Sequence, residues 1–189
     1  MKSLFLIALL PPEQLSEQID GIRKECSEKY NVYAALKPPV HLTLYRTIHI
    51  EQHLEKHLEK VLMQATHRDP FTVTLENFDS FNNQTLFINC IKSPPLAALQ
   101  KSISAIISRN RFDPREVKGG NTLFKPHITI AYRDVSPEIF PVMWDEYKSR
   151  KFKREFPVHA FTLLKHNGKQ WQPVKHYNLV PQNESLTLF

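Results

Sequence analysis

The chain has 189 residues, 41% of them hydrophobic and 23% charged, a balance that excludes a disordered chain and suits one domain or two small lobes sharing a core. Its formal charge of +6 and pI near 9.3 point to an anionic partner such as nucleic acid or a phosphorylated small molecule. Two cysteines, Cys26 and Cys90, without C-x-x-C spacing exclude a disulfide framework and read as reduced core thiols of a cytoplasmic protein.

The opening MKSLFLIALLPPEQL sets Lys2 before an apolar run from Leu4 to Leu10. That run ends at Pro11 and Pro12 with no small-residue cleavage site, so it is expected to be a buried first strand rather than a signal peptide. No later segment approaches the length of a membrane span, and no membrane role is expected. Behind Pro12, Leu15, Ile19, Ile22 and Cys26 recur at helical spacing and predict the first helix. HLTLYRTIHI follows as a strand. A second helix is predicted with Leu54, Leu58, Val61, Leu62 and Ala65 on one face. FTVTLENF and TLFINCI then read as two strands joined by the polar turn at Asn82 and Asn83.

From Ser93 and Pro94 the pattern repeats. Pro94 and Pro95 echo Pro11 and Pro12, Leu99, Ile103 and Ile106 echo Leu15, Ile19 and Ile22, and HITI at 127–130 echoes HLTL at 41–44. The order strand, Pro-Pro, helix, His-strand, helix thus occurs twice. The last helix is predicted from Ser136 and Pro137, burying Phe140, Met143, Trp144 and Tyr147. In HAFTLLKHNGKQW, Asn167-Gly168 marks a hairpin turn. An internal duplication of this kind predicts halves packed about a pseudo-two-fold axis, with the two His strands facing one cleft.

Strand alternation puts His41 and Thr43 on one face and Leu42 and Leu44 on the other, and it treats His127, Thr129, Ile128 and Ile130 in the same way. Chance predicts roughly 0.2 copies of such a tetrapeptide in this composition. Packing alone enriches Thr and aliphatics in strands, so position has to carry the functional reading. Two imidazoles supply one base and one acid near neutrality, which is what in-line displacement at a phosphodiester requires. Stiff Thr hydroxyls can donate to the non-bridging oxygens. The four glycines leave no Walker loop and no dinucleotide fingerprint.

These residues resemble the 2H phosphoesterases, which include the bacterial 2′-5′ RNA ligase-like proteins and cyclic nucleotide phosphodiesterases. The likeness runs from LFLIALLPP through PPVHLTL and FKPHITIAYRD to LLKHNGKQW. It implies one domain over 1–189 built of two duplicated lobes: a bilobal α+β fold of antiparallel sheet and flanking helices around a central groove. It also implies His41 and His127 as catalytic acid and base, with Thr43 and Thr129 beside them. Proposed mechanisms of such enzymes make the second histidine activate water, which gives His127 as base and His41 as acid, exchanged in the ligating direction.

Many relatives carry Arg five positions after the second His, where this chain has Tyr132 and then Arg133. Alternation places Arg133 and Ala131 on the His127 face and Tyr45 on the His41 face. Arg133 is a candidate phosphate clamp and Tyr45 a candidate base-stacking ring, although each is equally an ordinary exposed strand residue. Basic residues crowd RNRFDPREVKGGNTLFK before the second motif, and Lys29, Tyr30, Tyr33 and Lys37 precede the first. His49, His53 and His57 have the spacing of a zinc-binding helix face, but His49 is expected before the helix begins and interspersed Glu and Lys mark a solvated face. The expected protein is a monomeric, metal-independent and cofactor-free phosphoesterase acting on 2′,3′-cyclic phosphate or 2′-5′ linkages of a nucleotide or RNA end. A non-catalytic nucleotide- or RNA-binding module with the same groove is the alternative.

Overall fold

A computed structural model of the chain describes residues 1–115 and 124–181. Among these residues are β1 (Lys2–Leu9), α1 (Glu13–Tyr30), β2 (Leu42–Glu51), α2 (Glu55–Leu62), β3 (Phe71–Phe81) and β4 (Thr85–Cys90). They are followed by α3 (Pro94–Arg109), β5 (His127–Ala131), α4 (Ile139–Tyr147), β6 (Lys153–Val158), β7 (Ala160–His166) and β8 (Trp171–Asn178). The strands form one eight-stranded sheet in the order β6-β3-β4-β5-β2-β1-β7-β8, with every pair antiparallel.

That order is a palindrome in the duplication. β5 and β2 meet at the centre, β4 mirrors β1, β3 mirrors β7 and β6 mirrors β8, so the two expected lobes are halves of a single continuous sheet. The helices cross the seam, α1 packing on β5 and α3 on β2. The sheet also curls. His159 alone connects β6 to β7, six positions across the sheet. Flat strands would separate these two by about 29 Å, whereas two residue steps span at most about 7 Å.

β1 reads as an unbroken apolar run because both its faces are covered. Phe5, Ile7 and Leu9 enter the main core, while Leu6 and Ala8 join Leu164 in a small cluster beneath Leu10 and Trp171. α1 buries Leu15, Ile19, Ile22 and Cys26 as its spacing demands and ends at Asn31, whose left-handed φ of 57° suits an Asn C-cap. α4 begins at Ile139, three residues beyond the expected start. The Ser136 hydroxyl accepts a hydrogen bond from the Ile139 amide at 3.3 Å and closes the turn between them. β6 was not legible in the sequence. It is an edge strand whose Lys153, Arg154, Glu155 and Pro157 face solvent, leaving only Phe156 and Val158 buried. Both cysteines are buried and unpaired. No helix among the described residues is long and apolar enough to cross a membrane.

Candidate active site

The two motifs are neighbours at the centre of the sheet, where Leu42 pairs with Ile128. In an antiparallel register one step either way sets Thr43 across from His127, and His41 across from Thr129. The four polar side chains then share one face, each histidine beside the threonine of the other strand, and the pseudo-two-fold axis passes between Leu42 and Ile128. Those two aliphatics, with Leu44 and Ile130, are buried on the opposite face, as alternation predicts. His41, Thr43, His127 and Thr129 are half-buried.

A repeated local feature orients the rings. His41 Nδ1 lies 2.7 Å from the Pro39 carbonyl oxygen, and His127 Nδ1 lies 2.7 Å from that of Lys125. A carbonyl only accepts, so each Nδ1 carries the proton and each Nε2 is left for substrate. Burial lowers the affinity of both rings for a second proton. For His41 the carbonyl bond partly opposes this, while the charges of Arg23 and His127 add to it. For His127 the carbonyl of Lys125 opposes burial and its ammonium reinforces it. The charge of His127 thus reaches His41.

Each motif strand also bulges at the same place. β2 moves from Thr43 to Tyr45 while β1 moves only from Ala8 to Ile7, and β5 moves from Thr129 to Ala131 while β4 moves only from Phe87 to Leu86. An extra residue, Leu44 or Ile130, interrupts the alternation directly after each threonine. This corrects the placement of two candidates. Tyr45 turns into the core, 5% exposed, with its hydroxyl donating to Asp113 at 3.4 Å, and offers no ring to a base. Ala131 is buried as well, and Arg133 lies outside β5 with a φ of 69°, exposed and stacked on the Tyr132 ring at 5.1 Å. Next to it, the Asp134 carboxylate accepts from the amides of Tyr33 and Ala34 at 2.6 and 2.8 Å, tying this loop to the one before His41.

Several groups at the site had no signal of their own in the motifs. Phe81 and Phe87 pack their rings against His127 at 5.0 and 4.8 Å. Lys125 covers both phenylalanines and pairs with Asp79 at 2.6 Å. Arg23, 1% exposed on α1, donates to the Pro38 carbonyl at 2.9 Å and lies 3.6 Å from Asp20. Its trace in the sequence was a charge on a buried helical stripe, four residues after Ile19.

The other candidates lie elsewhere. Lys29 and Tyr30 both bond Glu146 on α4 and so serve helix packing, while Tyr33 and Lys37 are exposed. Of the basic segment before His127, residues 116–123 lie outside the described residues, while Arg115 pairs with Asp113 and Lys125 with Asp79. His49 is on β2 opposite Leu4, His53 lies in a 3-10 turn and His57 bonds Asn110 at 3.1 Å, so the three do not share a helix face. Among the described residues no group of three or more His, Cys, Asp or Glu could hold a metal ion. A cavity of about 700 Å³ between α1 and the β3–β6 edge is lined by Gln18, Glu25, Asn77 and Arg150 and reaches neither histidine.

A continuous antiparallel sheet with two His-x-Thr strands paired at its centre defines the class. Residues 11–170 match the family model of the 2′-5′ RNA ligase superfamily, and the chain belongs to that superfamily, the 2H phosphoesterases. The fold is that of Escherichia coli LigT, seen in a complex with 3′-AMP, with a TM-score of 0.68 and 21% identity over 95% of this chain and 99% of that one. TT0787 of Thermus thermophilus is similar, with a TM-score of 0.63 and 19% identity over 95% of this chain and 98% of its own. No curated protein sequence matches at a significant level.

Proposed function

We propose that the protein is a phosphoesterase that opens 2′,3′-cyclic phosphate, or acts on 2′-5′ linkages, at a nucleotide or RNA end. One observation carries this reading: two imidazoles, each anchored through Nδ1 to a backbone carbonyl, stand diagonally across one strand pair with a threonine beside each. Family membership and the nucleotides bound by LigT, which has been crystallised with 3′-AMP, NADP+ and ATP, support the substrate class.

With the cyclic phosphate between the rings, His127 Nε2 takes a proton from water as its oxygen bonds phosphorus. The bond from phosphorus to the 3′-oxygen breaks, and protonated His41 supplies the proton that this oxygen needs. The product is a 2′-phosphate. Thr43 and Thr129 donate to the non-bridging oxygens, where charge gathers. In the ligating direction the two histidines exchange roles. Arg133, whose guanidinium rests on the Tyr132 ring, is the phosphate clamp of this proposal. Stacking of the base falls to rings on the sheet face, Phe81 or Trp171, in place of Tyr45. Because the side chains supply both proton transfers and the charge stabilisation, the mechanism calls for no metal. Chelator treatment should leave turnover unchanged; inhibition restored by zinc or manganese would contradict the mechanism.

Incubation with 2′,3′-cyclic nucleotides and separation of the monophosphate isomers tests the reading. A 2′-phosphate product is expected. A 3′-phosphate product would reverse the acid and base assignment, and no turnover of any cyclic or 2′-5′ substrate would leave the binding-module alternative.

A further inference from the structure

The sheet face that carries the histidines continues onto β1, β7 and β8, where it holds groups that the reaction above does not use. Thr43 pairs with Ala8, Ala8 with Thr162, and Thr162 with His176. Residues directly opposed across antiparallel strands share a face. These four therefore form a row across the sheet, and Thr162 stands about 10 Å from Thr43 at two strand spacings. Ala8, fully buried, confirms the face, since it belongs to the cluster with Leu6 and Leu164 rather than to the main core. Leu9 pairs with Leu42, so the next residue, Leu10, falls beside His41.

At this place a cavity of about 250 Å³ opens, with Leu10, Pro12 and Pro157 among its walls and His159, Thr162 and His176 as its polar groups. Thr162 is 3% exposed, and its hydroxyl lies 2.9 Å from Nδ1 of the exposed His176. That bond satisfies a hydroxyl whose burial would otherwise cost free energy, and it fixes the imidazole with Nε2 unengaged by the threonine. The result is a small chamber of apolar walls and a fixed polar edge, two strands beyond the motif strand β2.

We propose that this chamber is a subsite for the nucleotide that precedes the reacting one, so that the preferred substrate is an RNA end of two or more nucleotides rather than a mononucleotide. The proposal rests on the reading of His41 and His127 as the reacting centre, because that reading sets which nucleotide lies next door. The base enters between Leu10, Pro12 and Pro157, while His176 Nε2 meets the base edge or the linking phosphate. Leu10, beside His41 and in the chamber wall, is the residue that joins the two positions.

The test is binding, read independently of turnover. The protein is titrated with 3′-AMP and with the dinucleotide ApA carrying a 3′-phosphate, by calorimetry and by NMR of the His176 ring. The dinucleotide is expected to bind roughly tenfold tighter or better and to shift the His176 resonances, which 3′-AMP leaves in place. In Thr162→Val/His176→Ala the ratio of the two affinities should fall towards one, and His176→Gln serves if the double variant does not fold. Equal affinities, or a preference that survives these substitutions with His176 unmoved, overturn the subsite. A dinucleotide preference that passes this test in a protein that turns over no cyclic phosphate would sink the phosphoesterase reading and leave the subsite standing.

Discussion

His41 and His127 each commit one ring nitrogen to a carbonyl two residues back, which leaves a single nitrogen of each for chemistry. Replacing either with Ala should lower turnover by roughly 10²- to 10⁴-fold, the range of a positioned acid or base, without unfolding the protein, since both rings lie on the half-buried groove face. Near-full activity in either variant would end the paired mechanism. Burial holds both midpoints below the ordinary imidazole value, so kcat/KM should follow a bell centred below about pH 6.5, its limbs belonging to the coupled pair. Arg23 sharpens this point. Its charge disfavours protonation of His41, so removing it in Arg23→Met should raise the His41 midpoint, read by NMR titration, and should also free the Pro38 carbonyl and loosen the loop. A His41 midpoint that stays put or falls would show that the guanidinium does not act on the ring.

The strands show where pattern reading succeeds and where it stops. Alternation placed His41, Thr43, His127 and Thr129 together because nothing interrupts either strand before the threonine. It failed at Tyr45 and Ala131 because a bulge has no marker in composition: Leu44 and Ile130 look like any other inward aliphatic. The helices were legible from their stripes, whereas β6 was hidden by the charges that protect an edge. Beyond its bulge, β2 is anchored by Asp113, whose carboxylate, 1% exposed, receives Arg46 and Arg115 at 3.0 and 2.9 Å. Burial alone would raise the acid's pKa, but the hydrogen bonds from Arg115 and Arg46 outweigh it and hold the pKa at about 2. The unfolded chain therefore binds the proton more readily, and this stabilisation is present above about pH 4 and lost as pH falls towards 2. Asp113→Asn should cost about 1–3 kcal/mol at pH 7 and flatten the acid limb of stability in urea titrations. Tyr45→Phe, which removes only the hydroxyl, should cost about 1 kcal/mol with turnover intact; a loss of activity there would return Tyr45 to the site.

At the scale of the molecule, the sequence carries the repeated Pro-Pro and His spacings but not the strand order that they accompany, because strand order depends on contacts between residues far apart in sequence. The order found has an energetic consequence. α1 follows β1 yet packs on β5, and α3 follows β4 yet packs on β2, so each half completes its core with a helix from the other. Phe5, Ile19, Leu42, Ile103, Ile128 and Phe161 accordingly belong to one buried cluster. Neither half can then lose its structure without exposing the apolar face of its partner, and equilibrium unfolding should be a single cooperative transition. The two tryptophans report on different halves: Trp144 sits on α4 in the second copy of the repeat, and Trp171 opens β8 at the far side of the sheet. In Trp144→Phe and Trp171→Phe, the fluorescence of the remaining tryptophan should follow the same urea midpoint as far-ultraviolet circular dichroism of that same variant. Two separated midpoints within one variant would mean that the halves hold cores of their own, and the reading of 1–189 as one domain would give way to two.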